Sequence, residues 1–259
     1  MNNNGGQLIQ SLLKALRILT LFTREKPELR LKEIGEALAM PASTVHRILR
    51  TLEEEDFITQ NPENGKYRLG AAVFIMGTNV LHINQLVEAA LPYIARLSTK
   101  YNATTHVAIE QNGHVLCIEK IEPATNIVQT PPRGSRHELH LTSVGKSILA
   151  FSPPKKQQEL VRSIQFRPVM PASIMNSGDL MRELQIVKQR GYAVDAHESA
   201  ENLYCFGAAI LDGAANAVGA ISVSLNSFRY PDTAVNIIRD IKRSGEEISI
   251  NLQKSAAKR

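Results

Sequence analysis

One short segment carries five side chains suited to touching nucleic acid. Ser43, Thr44, His46, Arg47 and Arg50 lie opposite Val45, Ile48, Leu49 and Leu52, which recur at i, i+3, i+4, i+7 as a single apolar helix stripe. An arginine on such a face can fork onto a guanine edge, because the major groove is wide enough to admit a helix. Hydroxyls and N–H groups at the helix start, where Ser43 and Thr44 fall, suit phosphate oxygens. A second cationic pair follows. Lys66 and Arg68 sit two residues apart on a β-like run, so they point to one side while Tyr67 and Leu69 point to the other. That spacing fits neighbouring phosphates. Lys32, on the wet side of the preceding helical segment with Glu33 and Glu36, is a further phosphate candidate. The competing reading is a protein-interaction module with ordinary solvated cations.

Other chemistry is weaker. Leu141-Thr142-Ser143-Val144-Gly145-Lys146 opens a helix, whose first N–H groups form an anion site or merely an ordinary helix start. Gly145-Lys146-Ser147 mimics the end of a phosphate-binding loop, but His140 stands where its first glycine belongs. Ser222 and Ser224 share one face of a β-prone run, with Val223 on the other, so they need a polar cavity or internal partners. His137 and His140 are spaced like metal ligands, yet nothing nearby completes a site, and neither a metal nor a cofactor is expected. No G-x-S-x-G elbow activates a serine, which disfavours the enzyme alternative, turnover of a small carboxylic acid by the C-terminal half.

The elements that must position these residues are legible as patterns. Ile9, Leu12, Leu13, Leu16 and Leu19 predict a helix over 8–22, and Leu31, Ile34 and Leu38 a second. Pro41 suits the first turn of the third, and Asn64-Gly65 marks a hairpin between 57–60 and 66–69. Helix, helix, helix, hairpin over 8–70 is a winged helix-turn-helix arrangement. Residues 71–84 read as one connecting helix. Residues 85–254 then mix helices (85–101, 143–151, 179–190 and a last one from Pro231-Asp232) with antiparallel β-prone pairs at 105–109/115–118 and 205–211/217–225, an α+β domain. Residues 1–7 read as a polar tail without a signal peptide's apolar core.

Composition narrows the partners. The net charge of +5 hints at an anion, but residues 1–77 hold ten Lys and Arg against nine Asp and Glu. Placement matters more, since no acid falls between Leu38 and Leu52. Absence of Trp and only 5% aromatics disfavour a base-stacking single-strand binder. Two cysteines are too few for a disulfide scaffold and fit a cytoplasmic protein. No apolar run is long enough for a membrane helix.

Taken in order, Leu31-Lys-Glu-Ile-Gly-Glu-Ala-Leu, Pro41-Ala-Ser-Thr-Val-His-Arg-Ile-Leu-Arg-Thr-Leu and Gly65-Lys-Tyr-Arg-Leu-Gly70 resemble the DNA-binding domain of IclR-type transcription regulators. GSRHELHLTSVGKSILA from Gly134, Arg190-Gly-Tyr-Ala-Val-Asp195, Glu198, Cys205 and Gly219-Ala-Ile-Ser-Val-Ser224 match its later motifs in register, so the resemblance covers roughly 8–252. It implies a winged helix-turn-helix joined by a linker helix to a GAF-like α+β effector-binding domain. It also implies double-stranded operator DNA and a small-molecule effector, often a carboxylate, as partners. The chain is then a homodimer or dimer of dimers, expected to be a repressor. By this resemblance Ser143 and Val144 offer N–H groups to a ligand carboxylate and Asp195 and Cys205 face it; Gly145, Ser222 and Ser224 are expected to complete the effector site. Leu203, Asn126 and Gln129 follow only from position relative to those motifs. Asp195 as a turn residue, Cys205 as a buried apolar group, and Arg133 and Arg136 as solvated cations stay open. Glu138, Asn202 and Ala209 depart from the usual Pro, Gly and Pro, and Ser143 from a usual Ala or Gly.

Overall fold

The computed structural model describes residues 8–23, 25–125, 130, 132–226 and 233–256, and the chain divides into two compact units, Met1–Leu81 and His82–Arg259. The first unit packs α1 (Gln10–Leu19), α2 (Leu31–Leu38) and α3 (Ala42–Glu54) with a hairpin of β1 (Ile58–Gln60) and β2 (Tyr67–Leu69). Its core is Ile18, Ile34, Val45, Leu49, Ile58 and Tyr67 with Phe22 and Leu29. Pro41 caps α3, and Glu33 Oε2 accepts the Arg30 N–H at 2.6 Å, returning from the third helical position as in a capping box. Gly65 takes φ +69° in the hairpin turn.

Of the apolar residues that mark α1, Ile9, Leu12 and Leu16 are more than half exposed, Leu13 and Leu19 are half-buried, and Ile18 is fully buried in the core. One expectation is corrected in this unit. The single helix expected over 71–84 is two pieces, because α4 (Ala71–Thr78) stops where Thr78 Oγ1 and Asn79 Nδ2 both donate to the Ile75 carbonyl, and α5 (Leu81–Tyr101) starts afresh. Phe74 and Leu81 are 75% and 62% exposed, and no residue of α4 is buried.

The second unit is built on a six-stranded antiparallel sheet in the order β5-β4-β3-β8-β7-β6, from β3 (Thr104–Gln111), β4 (His114–Ile121), β5 (Arg136–Glu138), β6 (Ala193–Ala196), β7 (Leu203–Leu211) and β8 (Ala217–Asn226). Alternation along each strand separates two cores. Val107, Phe206, Ala208, Ile221 and Val223 pack with Leu86, Ile94 and Leu97 of α5 and with Ile237, Ile241 and Ile248 of α9 (Ala234–Ala256). Ala108, Val115 and Ala220 face the other way, toward α6 (Ser143–Ala150), α7 (Pro154–Ser163) and α8 (Ser177–Arg190). The last helix is described from Ala234; its expected start at Pro231-Asp232 lies outside the described residues. Among the described residues no helix is long and apolar enough to cross a membrane.

Candidate functional site

On α3, Ser43, His46, Arg47 and Arg50 are exposed, while Thr44 is half-buried beside Val45. Arg50 Nε lies 3.9 Å from Glu54 Oε1 and Lys32 Nζ 3.8 Å from Glu36 Oε1, both exposed i, i+4 pairs that hold little energy and leave the cations available. Arg47 has no ion-pair partner among the described residues. In the wing, Arg68 is exposed and Lys66 half-buried. A carboxylate stands beside them. Glu28 Oε1 accepts from Asn61 Nδ2 at 3.0 Å and lies 3.9 Å from Arg68 Nη1, and Oε2 accepts from Asn64 Nδ2 at 2.8 Å. The bonds from Asn64 and Asn61, with the Arg68 and Lys66 charges, hold the Glu28 carboxyl below its ordinary range.

A cavity of about 400 Å³ opens between the sheet and α6. Strand register assembles its polar floor: Asp195 pairs with Cys205, Cys205 with Ser224, and Ser222 with His106. Cys205 Sγ is 3.1 Å from Ser224 Oγ, and His106 Nδ1 is 3.3 Å from Ser222 Oγ. Ala108, Val115, Cys117 and Leu203 form apolar wall, and Ser199 and Ala200 line the far rim. Burial raises both thiols, Cys117 to about 11, so neither is a ready nucleophile.

The start of α6 hangs over this floor. Gly207 permits the approach, since a Cβ there would fall 2.7 Å from the Ser143 carbonyl carbon and oxygen. Thr142 Oγ1 caps the helix by accepting the Gly145 N–H at 3.1 Å. The Ser143 and Val144 N–H groups have no acceptor among the described residues, and both residues line the cavity. Gly145 does not line it. Its N–H is taken by Thr142, and its lack of a side chain answers to the Leu139 carbonyl, 2.3 Å from where a Cβ would sit. No Lys or Arg among the described residues lines the cavity.

Asp195 is 1% exposed and lies within β6, not in a turn after it. Its Oδ1 accepts the Glu198 N–H at 2.8 Å and the Ser199 N–H at 3.3 Å, and Oδ2 accepts from Ser199 Oγ. Burial pushes its carboxyl up and these bonds pull it back only in part. The loop it holds contains Glu198, whose Oε1 is 2.5 Å from the Nζ of Lys146, a side chain 1% exposed. That pairing removes Lys146 from any phosphate-loop role.

The structure therefore gathers Ser143, Val144, Asp195, Leu203, Cys205, Ser222 and Ser224 around one cavity. Asn126 and Gln129 lie outside the described residues. Arg133 pairs with Glu119 at 3.1 Å, and Arg136 is an exposed residue of β5. His106, Thr130, His137, Thr142 and Ser199 join the lining unanticipated. His106 had a signal: alternation along Thr105-His106-Val107-Ala108 sets it on the face opposite Val107. His106 Nε2 and Thr130 Oγ1 are buried without a hydrogen-bond partner among the described residues. No cluster of three His, Cys, Asp or Glu able to hold a metal occurs among the described residues.

Residues 11–62 match a sequence profile described as the IclR helix-turn-helix domain, and 78–250 one described as the bacterial transcriptional regulator IclR C-terminal domain. The HTH-type transcriptional regulator XynR of Escherichia coli K12 is 30% identical over 243 residues, covering 93% of this chain and 96% of XynR. The crystal structure of Thermotoga maritima IclR superposes with a TM-score of 0.79 at 27% identity, over 95% of this chain and 100% of that one. An IclR homologue from Microbacterium hydrocarbonoxydans, solved with 4-hydroxybenzoate, superposes with a TM-score of 0.85 at 20% identity, over 94% and 99% of the two chains.

Proposed function

The chain belongs to the IclR family of bacterial transcription regulators, and from that premise we propose that α3 and the wing grip a duplex operator while a small monocarboxylic acid, seated under α6, changes that grip. The reading head spans 8–70, the connector 71–84 and the sensing body 85–254. Arg47 reads a base edge, with His46 and Arg50 beside it. Ser43, Thr44, Lys32, Lys66 and Arg68 meet phosphates. Arg47→Ala should cost about 1–3 kcal/mol on the selected duplex and relax base preference, whereas Lys66→Ala should weaken all sequences alike and flatten the salt dependence. Gel-shift titrations at two salt concentrations separate the two; equal loss on selected and random duplexes for Arg47→Ala removes its base-reading role.

One observation carries the effector reading: two N–H groups without acceptors among the described residues, at a helix start whose residues line a cavity with no described Lys or Arg. Peptide N–H groups and a helix dipole suffice for one carboxylate, and a second charge would be buried uncompensated. Ser222, Ser224 and Cys205 favour a hydroxyl or carbonyl at the ligand's other end. An IclR homologue with 4-hydroxybenzoate, a singly charged hydroxy acid, supports the same chemistry. Calorimetry with a panel of hydroxy and oxo monocarboxylates against dicarboxylates and phosphates of equal size tests it, and preference for the dianions overturns it. The chain acts in the cytoplasm as a repressor, and as a homodimer or dimer of dimers. The exposed Leu12 and Leu16 of α1 and Phe74, Ile75 and Met76 of α4 favour a second copy as their cover.

A further inference from the structure

The wing tip is held from outside by one side chain. Leu29, just before α2, pairs with Tyr67 through two backbone bonds of 2.9 and 2.8 Å, which lays residues 28–29 against β2. Glu28 then reaches the turn Asn61-Pro62-Glu63-Asn64-Gly65 and accepts one N–H from each asparagine. Both asparagines use their other end to shape the turn: Asn61 Oδ1 accepts the Glu63 N–H at 3.0 Å, and Asn64 Oδ1 accepts the Lys66 N–H at 2.8 Å. Each amide is thereby fixed at its carbonyl by the turn and at its NH₂ by Glu28. The Lys66 backbone follows from Asn64, and Arg68 lies 3.9 Å from the same carboxylate.

On a surface that attracts phosphates, a carboxylate is an electrostatic cost. Its two hydrogen bonds to the turn, one part-buried and one exposed, return only a modest stability for it. We propose that Glu28 is a positioning residue for the wing, setting the pose in which Lys66 and Arg68 meet the backbone and so favouring the correct register over any register. This rests on the reading of those two cations as phosphate contacts.

The test uses the full chain with a duplex selected from a random pool and a scrambled duplex of the same composition. Glu28→Gln removes the charge and one of the two acceptors. It should leave the scrambled duplex bound as well or better, while the selected-to-scrambled affinity ratio falls by about fivefold, the order one lost hydrogen bond supplies. Asn61→Ala/Asn64→Ala, which alters no charge, should narrow the same ratio. If Glu28→Gln strengthens both duplexes by one factor, or the asparagine pair leaves the ratio unchanged, Glu28 acts only as a charge and the inference is overturned. If Lys66→Ala leaves binding to both duplexes intact, the wing-contact reading falls and this inference with it; if Lys66→Ala weakens both while the Glu28→Gln ratio holds, the inference alone falls.

Discussion

At Lys146 a full positive charge sits 1% exposed and finds Glu198 Oε1 at 2.5 Å, with Glu183 at 4.0 Å. Removing one partner of such a pair leaves an uncompensated buried charge, so Glu198→Ala should cost about 3–5 kcal/mol in urea unfolding. Replacing both with Lys146→Met/Glu198→Leu should cost much less. Equal losses would show that packing, and not charge, governs the site. His106 supplies the pH counterpart. Burial, then Lys120 and His137, lower its pKa to about 3, so the folded protein refuses a proton that the unfolded chain takes below about 6.5. Its contribution to stability is complete above that pH and is lost as pH falls, at about 1.4 kcal/mol per unit. Asp195 and Glu198, raised by burial, pull oppositely, so the measurement is the difference between wild type and His106→Gln from pH 7 to 4.5. A difference that does not change with pH refutes it. At this scale motif and alternation anticipated positions: Asp195, Ser222 and Ser224 on the cavity lining and Arg47 on the exposed side of α3. Glu28 and Lys146 did not disclose themselves, because their partners lie 33 and 52 residues away and nothing local announces a carboxylate contact.

Elements were legible where an apolar period was strong. Both hairpins, α2, α3 and the two long strands of the sensing body follow from pattern alone. α7 escaped because only Val161 of its ten residues is buried, leaving no stripe to see. β5 escaped because it is three residues paired at one edge of the sheet, in register with His114 to Leu116. The close seating of α6 on β7 depends on Gly207, whose role is invisible without the Ser143 backbone above it. Gly207→Ala must push α6 off the floor of the cavity. It should destabilise by about 1–3 kcal/mol, as overpacking does, and weaken acid binding while sparing DNA affinity. Calorimetry with the best monocarboxylate, beside a thermal melt, measures both effects; intact acid affinity would mean that α6 does not set the site.

For the whole molecule, total charge was a poor guide, since the reading head is nearly balanced and its bias lies in the acid-free stretch from Leu38 to Leu52. Apolar exposure is more telling. α4 presents Phe74, Ile75 and Met76 at 75%, 59% and 58% exposure, more than a lone reading head should leave to water. Phe74→Glu should shift the chain toward monomer in light scattering and reduce operator affinity, because each half-site head would bind alone. An unchanged molar mass would assign α4 some other cover.

The want of any Lys or Arg among the described residues around the cavity has a physiological side. An acid held by peptide N–H groups in a sheltered hollow gains little from long-range attraction, so dissolved ions hardly touch its affinity. Phosphate contacts on the other unit respond to those same ions steeply. Osmotic stress would thus loosen the hold on DNA while leaving the perception of the metabolite intact, and the threshold concentration for induction would drift with the salinity of the cell although the sensor itself had not changed.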